Sequence, residues 1–173
     1  SCVVNLEPIQ SGSGTPSPSN VRPITGHTAV EAGNVGKNIL NTTYYLGYIN
    51  KNTGEFVASG GTISSDYVKV KPSTTYTLSV DITSELRISQ YSTNSTTGHI
   101  GRTEQTNTKS YSFTTSATAE YIRLTVVNAN ISSVNDITSY KPMLELGSTA
   151  TPYEPYQGQD ITISLGQTVY GGD

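Results

Sequence analysis

The run from Tyr76 to Tyr91 constrains this chain more than any other stretch. Tyr76, Leu78, Val80 and Ile82 alternate with Thr77, Ser79 and Asp81, and Leu86 and Ile88 then alternate with Arg87, Ser89 and Tyr91. Strict period-two alternation is the pattern of a β-strand with one buried and one wet face, because successive side chains leave a strand on opposite sides. Tyr121–Val127 repeats it, with Ile122, Leu124 and Val126 opposite Tyr121, Arg123 and Thr125. The wet face of such a sheet carries tyrosine, arginine and hydroxyls rather than a second apolar layer. That chemistry suits a polar ligand with a flat face.

Composition agrees with an all-β chain. Charged residues are only 13% of 173, and 12 tyrosines stand beside two phenylalanines and no tryptophan. An average soluble domain carries roughly 25% charge; here Ser, Thr, Asn and Gly replace it, as on strand surfaces exposed to solvent. A hydrophobic share of 34% supports one core and an attached lobe. The net charge of −3, with no basic stripe, argues against a nucleic-acid partner. A single cysteine, Cys2, excludes an internal disulfide and a thiolate metal cluster. No run has the length of a membrane span and no secretory apolar region is present, so neither membrane insertion nor a signal peptide is expected.

Along the chain, residues 1–10 offer one short strand, and the Gly-, Ser- and Pro-rich stretch Ser11–Asn20 reads as loop or linker. Val21–Gly26 is an edge strand interrupted by Pro23. The main domain is expected to begin at Lys37, with strands near Tyr44–Ile49, Glu55–Ala58 and Asp66–Lys71 before the organising run. Ser92–Lys109 reads as a polar loop, followed by a short strand through Tyr111 and Phe113. Asn128–Asp136 reads as a loop with room for one helical turn. Tyr140–Leu146 is the closing strand, and Thr151–Tyr156 is expected to lie extended with its tyrosines packed down. Ile161, Ile163 and Leu165 alternate in a last strand. About eight short strands and no sustained helical period predict a jelly-roll-like β-sandwich of two antiparallel sheets, with a flattened barrel as rival.

Catalytic patterns are missing. His27 and His99 stand in Gly- and Thr-rich segments that read as surface loops. Glycoside hydrolysis needs two carboxylates across the scissile bond; the candidates are Asp66, Asp81, Glu85, Glu120 and Glu145, of which Asp81 and Glu85 read better as solvated turn residues. No nucleophile elbow, Walker loop, zinc-protease motif or EF-hand spacing occurs. The chain is therefore expected not to be an enzyme and to need no cofactor. A single structural calcium built from scattered carbonyl oxygens stays open. Three Asn-x-Ser/Thr matches carry no weight in so Asn- and Thr-rich a chain.

The binding candidates are Arg87, Tyr91, Tyr121 and Arg123, with Tyr67 and Lys69 behind them and Tyr76 assigned to the core. A pyranose has an apolar face that stacks on an aromatic ring and hydroxyls that bond to arginine, asparagine and threonine. Tyrosine supplies flat area at low entropic cost and arginine a rigid fork. The plain alternative is that the tyrosines are half-buried strand aromatics and the arginines cover the sheet with their stems.

Two stretches carry a family resemblance. One is Ser64–Ser79, containing Tyr67-Val68-Lys69-Val70-Lys71-Pro72 and Tyr76-Thr77-Leu78. The other is Tyr140–Tyr156, containing Lys141-Pro142-Met143-Leu144-Glu145-Leu146-Gly147-Ser148 and Thr151-Pro152-Tyr153-Glu154-Pro155-Tyr156. Together with Tyr121-Ile122-Arg123-Leu124, they resemble the jelly-roll carbohydrate-binding modules in tail and baseplate proteins of phages and prophages of Gram-positive bacteria. The resemblance covers about residues 37–157. The flanks, Ser11–Ile24 and Thr168–Gly172, resemble tail-protein sequence around an inserted module. Residues 1–36 are then a carrier-protein strand and linker, 37–157 the module, and 158–173 a returning carrier strand.

The resemblance implies non-catalytic recognition of a host cell-wall polysaccharide during adsorption. The implied partners are host cell-surface saccharide and other tail or baseplate subunits, and the implied location is the virion tail. It transfers no binding residues, so the site rests on Arg87, Tyr91, Tyr121, Arg123 and Tyr67. Without tryptophan, each module binds weakly and many copies on a symmetric tail supply the avidity. The alternative is a structural or decorative module that packs against virion subunits and binds no sugar.

Overall fold

The alternating segments pair as the sequence requires, and every strand pairing with a defined register is antiparallel. The computed structural model describes the backbone of residues 9–10, 24–25 and 27–169, and the side chains of 36–158. The strands in chain order are β1 (Ile9–Gln10), β2 (Ile24–Thr25), β3 (His27–Val35), β4 (Tyr44–Ile49), β5 (Phe56–Ser65), β6 (Val68–Lys69), β7 (Thr75–Tyr91), β8 (His99–Thr114) and β9 (Tyr121–Val127). A short helix α1 (Ile137–Tyr140) precedes β10 (Met143–Leu146) and β11 (Gly158–Val169).

The chain divides into two compact units, one of Ser1–Asn34 with Gly158–Asp173 and one of Val35–Gln157. In the first, β1 pairs with β2 and β3 with β11. The linker expected at Ser11–Asn20 lies outside the described residues, as do Cys2 and Pro23. In the second, one seven-stranded sheet runs β10-β7-β9-β5-β4, with β8 along β7 and β6 along β9. The Gly36 amide donates to the Gln157 carbonyl at 2.9 Å, so this unit's two ends meet.

β7 spans both halves of the sheet. Its first half pairs with β10 on one edge, Tyr76 opposite Leu146, and its second half pairs with β9 there, Ser89 opposite Arg123. β8 follows the other edge, with breaks in register, from Thr114 opposite Thr75 to His99 opposite Tyr91. The expected loop Ser92–Lys109 is therefore mostly strand. β7 offers an unusually long edge of amides and carbonyls, and a Thr-rich segment with no apolar face satisfies it while staying solvated.

One cluster forms the core. Tyr76, Leu78, Val80, Phe113 and Leu144 enter it from one half of the sheet, and Leu86, Ile88, Ile122, Leu124, Val126 and Ile63 from the other. Leu78, Leu86, Ile88 and Leu124 are fully buried; truncating any one to alanine costs about 2–5 kcal/mol. Ile82 departs from the pattern: it is 36% exposed, because the β7–β8 ladder lapses between Ser79 and Ser84. The helical turn expected after Asn128 is present. The Asp136 carboxylate accepts from the Ser132 and Ser133 amides, which holds its carboxyl below the usual range, and α1 ends at left-handed Lys141 before Pro142.

Candidate functional site

The polar face of the sheet is set by register. Ser89 of β7 lies opposite both Arg123 and Arg102, Arg87 opposite Thr125 and Glu104, and Tyr91 opposite Tyr121 and His99. Directly opposed residues share a face, so the expected residues Arg87, Tyr91, Tyr121 and Arg123 do lie on one side of neighbouring strands. They do not form one open stripe there.

The cause is the β4–β5 hairpin. Its register jumps between Leu46, paired with Ile63, and Gly47, paired with Ala58, so its outer part leaves the plane of the sheet. It then folds across the polar face. Ser64 Oγ donates to the Gly47 carbonyl at 2.8 Å, Arg102 Nη1 to the Ile49 carbonyl at 3.2 Å, and the Tyr91 hydroxyl to the Gly54 carbonyl at 2.8 Å. Two glycines permit the approach. Gly47 has φ +151 and Gly54 φ +72, and a Cβ there would fall 2.3 Å from the Val57 carbonyl and 2.6 Å from the His99 ring, respectively.

Tyr91 is thus fully buried and Arg123 is 6% exposed, so neither offers a surface to a ligand. Burial pushes the Tyr91 phenol up. Arg123 serves as a clamp: its Nε donates to the Ser65 carbonyl at 2.9 Å, and its guanidinium carbon lies 5.0 Å from the Tyr67 ring centre and 5.9 Å from that of Phe56. Arg87 pairs with Glu85 at 2.6 Å and more distantly with Glu104, at the sheet's other end. His99, expected on the surface, instead packs its ring against Tyr91, centres 5.2 Å apart, with its Nε2 buried and without a hydrogen-bond partner among the described residues. Burial holds its pKa below the usual histidine value, and Arg102 adds to that.

What remains open is an aromatic strip around Arg123. Tyr45 and Phe56 are 40% and 38% exposed and pack edge to face, and across Arg123 the half-buried Tyr67 and Tyr121 meet at 88° with centres 6.5 Å apart. Burial raises the Tyr67 pKa, with Arg123 pulling against it. Exposed Lys69 lies opposite Tyr121. The sequence analysis named Tyr67, Tyr121 and Lys69 among its candidates and did not name Phe56 or Tyr45. A glycine inside an otherwise apolar strand, Gly47, is the sequence signal for the break at which the hairpin turns over the sheet.

Two cavities lie elsewhere. One of about 380 Å³ is lined mainly by Ile39, Val70, Tyr76, Leu146 and Tyr156, with Lys69 and Lys71 at its edge. The other, of about 270 Å³, includes Asp81, Lys109, Lys141 and Tyr153. Tyr153 is 43% exposed, not packed down as expected.

Three of the candidate carboxylates have separate partners. Glu145 is 4% exposed and accepts from the Thr151 amide and hydroxyl, Asp81 pairs with Lys141, and Asp66 accepts from the Tyr67 amide. No cluster of three or more His, Cys, Asp or Glu suited to a metal ion occurs among the described residues, nor does any helix long and apolar enough to cross a membrane. Compared with protein-family models, curated proteins and solved structures, the chain matches none.

Proposed function

We propose that the unit Val35–Gln157 is a non-catalytic saccharide-binding module, part of a phage tail or baseplate protein, that recognises host cell-wall polysaccharide during adsorption. The carrying observation is the strip Tyr45, Phe56, Tyr67 and Tyr121, partly exposed rings flanking the buried guanidinium of Arg123. Aromatic rings fixed at low entropic cost are what the apolar face of a pyranose stacks on. The resemblance of Ser64–Ser79 and Tyr140–Tyr156 to modules of that kind supports the same reading. In this proposal the two halves of the sheet face each other as the layers of a jelly-roll-like sandwich, since one core cluster draws on both. The first unit is then the paired remnant of a carrier protein. Catalysis has no part in it.

The test is sedimentation of the full chain with purified Gram-positive cell walls. Tyr67→Ala and Phe56→Ala are expected to lower the bound fraction at least fivefold while the chain stays folded; unchanged retention of both variants would overturn the site. The alternative, a module that packs against virion subunits and binds no sugar, is favoured by the apolar cavity at Ile39, Val70, Leu146 and Tyr156. Absence of wall binding by the parent chain itself would point there.

A further inference from the structure

The β7–β8 ladder shifts register at three places, and the widest break lies between Ser79 and Ser84. Ser79 pairs with Ser110 and Ser84 with Thr108, so residues 80–83 of β7 stand against Lys109 alone. The 270 Å³ cavity lies against this break, and its polar lining includes Ser79, Asp81, Lys109, Ser110, Lys141 and Tyr153. Two ammonium groups and one carboxylate give it a surplus positive charge in a chain of net charge −3.

Its parts are held in place. Lys141 adopts a left-handed conformation, φ 44 and ψ 59, which glycine or asparagine usually fills, and from it Nζ reaches Asp81 Oδ2 at 2.8 Å. Both side chains of this pair are about half exposed, so either is free to exchange partners. Among the described residues Lys109 has no carboxylate at ion-pair distance. Tyr153 stays 43% exposed although the backbone is fixed on both sides. Before it, the Thr151 amide and hydroxyl each bond a different oxygen of buried Glu145 at 2.8 Å. After it, the Glu154 carbonyl accepts from Asn38 Nδ2 at 3.0 Å. An exposed ring on a pinned backbone is a prepared surface rather than a loose loop.

We propose that this cleft binds an acidic sugar residue, its carboxylate or phosphate on Lys109 and Lys141, its apolar face on Tyr153 and its hydroxyls on Asp81 and the serines. The inference deepens the module reading and rests on it, naming the anionic class of polysaccharide. A neutral sugar would cover Lys109 without pairing it, which is the basis for discrimination.

The experiment is amide chemical-shift titration of the full chain with glucuronate, glucose 6-phosphate and glucose, with chloride varied. Shifts centred on Lys109, Lys141 and Tyr153 are expected for at least one acidic probe, tighter than for glucose by fivefold or more and weakening with salt. The stronger of the two acidic probes tells carboxylate from phosphate. Lys109→Gln and Tyr153→Ala, both at exposed positions, are expected to remove these shifts while leaving the remaining spectrum in place. Equal binding of glucose, or titrations unchanged by both substitutions, overturns the cleft. Cell-wall retention of the same variants separates the two claims. Walls bound as well by Lys109→Gln as by the parent chain sink the cleft alone, whereas walls bound by neither sink the module reading.

Discussion

The Tyr91 hydroxyl donates a 2.8 Å hydrogen bond to the carbonyl of Gly54, a residue 37 positions earlier. That bond ties the tip of the β4–β5 hairpin to the sheet it covers and explains why a tyrosine on the polar side of a strand is fully buried. Tyr91→Phe keeps the ring and removes the donor, leaving the buried Gly54 carbonyl unpaired. Such a loss costs about 1–3 kcal/mol. The urea midpoint is expected to fall with little change in slope, and an unshifted midpoint would show that the hairpin is held by other contacts.

Glycine substitutions test the same covering. At Gly54 and Gly47 an alanine meets a ring at 2.6 Å and a carbonyl at 2.3 Å, in backbone conformations that side chains rarely adopt. Each is expected to destabilise by roughly 1–3 kcal/mol or more. Gly60, in the bulged part of β5, has nothing within 4 Å of an added Cβ and no positive φ. Gly60→Ala is expected to be neutral or to stabilise by about 0.4–1 kcal/mol through the unfolded chain. Thermal melts of the three variants should separate in that order, and three equal shifts would refute the close packing of the hairpin.

His99 makes the covering sensitive to acid. Its pKa is lowered, first by burial and then by Arg102, so the folded state takes up a proton less readily than the unfolded state does. The unfolded chain therefore binds more protons as pH falls below the ordinary histidine value of about 6.5. The stability that neutral His99 allows is complete above that value and is lost as pH falls towards the depressed folded pKa. Chemical denaturation at pH 7.5 and pH 5 is expected to show a loss in the parent chain that His99→Phe reduces. An identical loss in both proteins would assign it to another group.

The core was legible because period-two alternation reports a face directly. Leu78, Leu86, Ile88, Ile122, Leu124 and Val126 are all fully buried where the pattern places them. The polar side was legible only as a face. Whether it meets water depends on a hairpin some forty positions upstream, and alternation carries no information about what lies above a sheet. Tyr91 and Arg123 were consequently placed on the right side of their strands but under cover. The segment Ser92–Lys109 misled for another reason: Thr103, Thr106 and Thr108 have no apolar alternation because that part of β8 is a largely solvated edge. Tyr153 was expected to pack down along an extended segment, whereas it is exposed on a backbone held by bonds to Glu145 and Asn38 that no local pattern encodes.

The two arginines singled out by alternation are expected to behave differently. Arg123 is 6% exposed, bonds the Ser65 carbonyl through Nε and lies between the Phe56 and Tyr67 rings. Lysine keeps the charge but not the plane or the Nε donor, and would bury an ammonium where a guanidinium is held by both. Arg123→Lys is therefore expected to cost about 1.5–3 kcal/mol, the range for a hydrogen bond to a charged group, and to weaken cell-wall retention by misplacing both rings. Arg87 has a side chain 20% exposed and pairs with Glu85 and Glu104 near the surface. Arg87→Ala is expected to cost no more than about 1 kcal/mol and to leave retention intact. Equal effects of the two substitutions on retention would mean that the strip around Arg123 does not carry the binding, because only one of these side chains touches it.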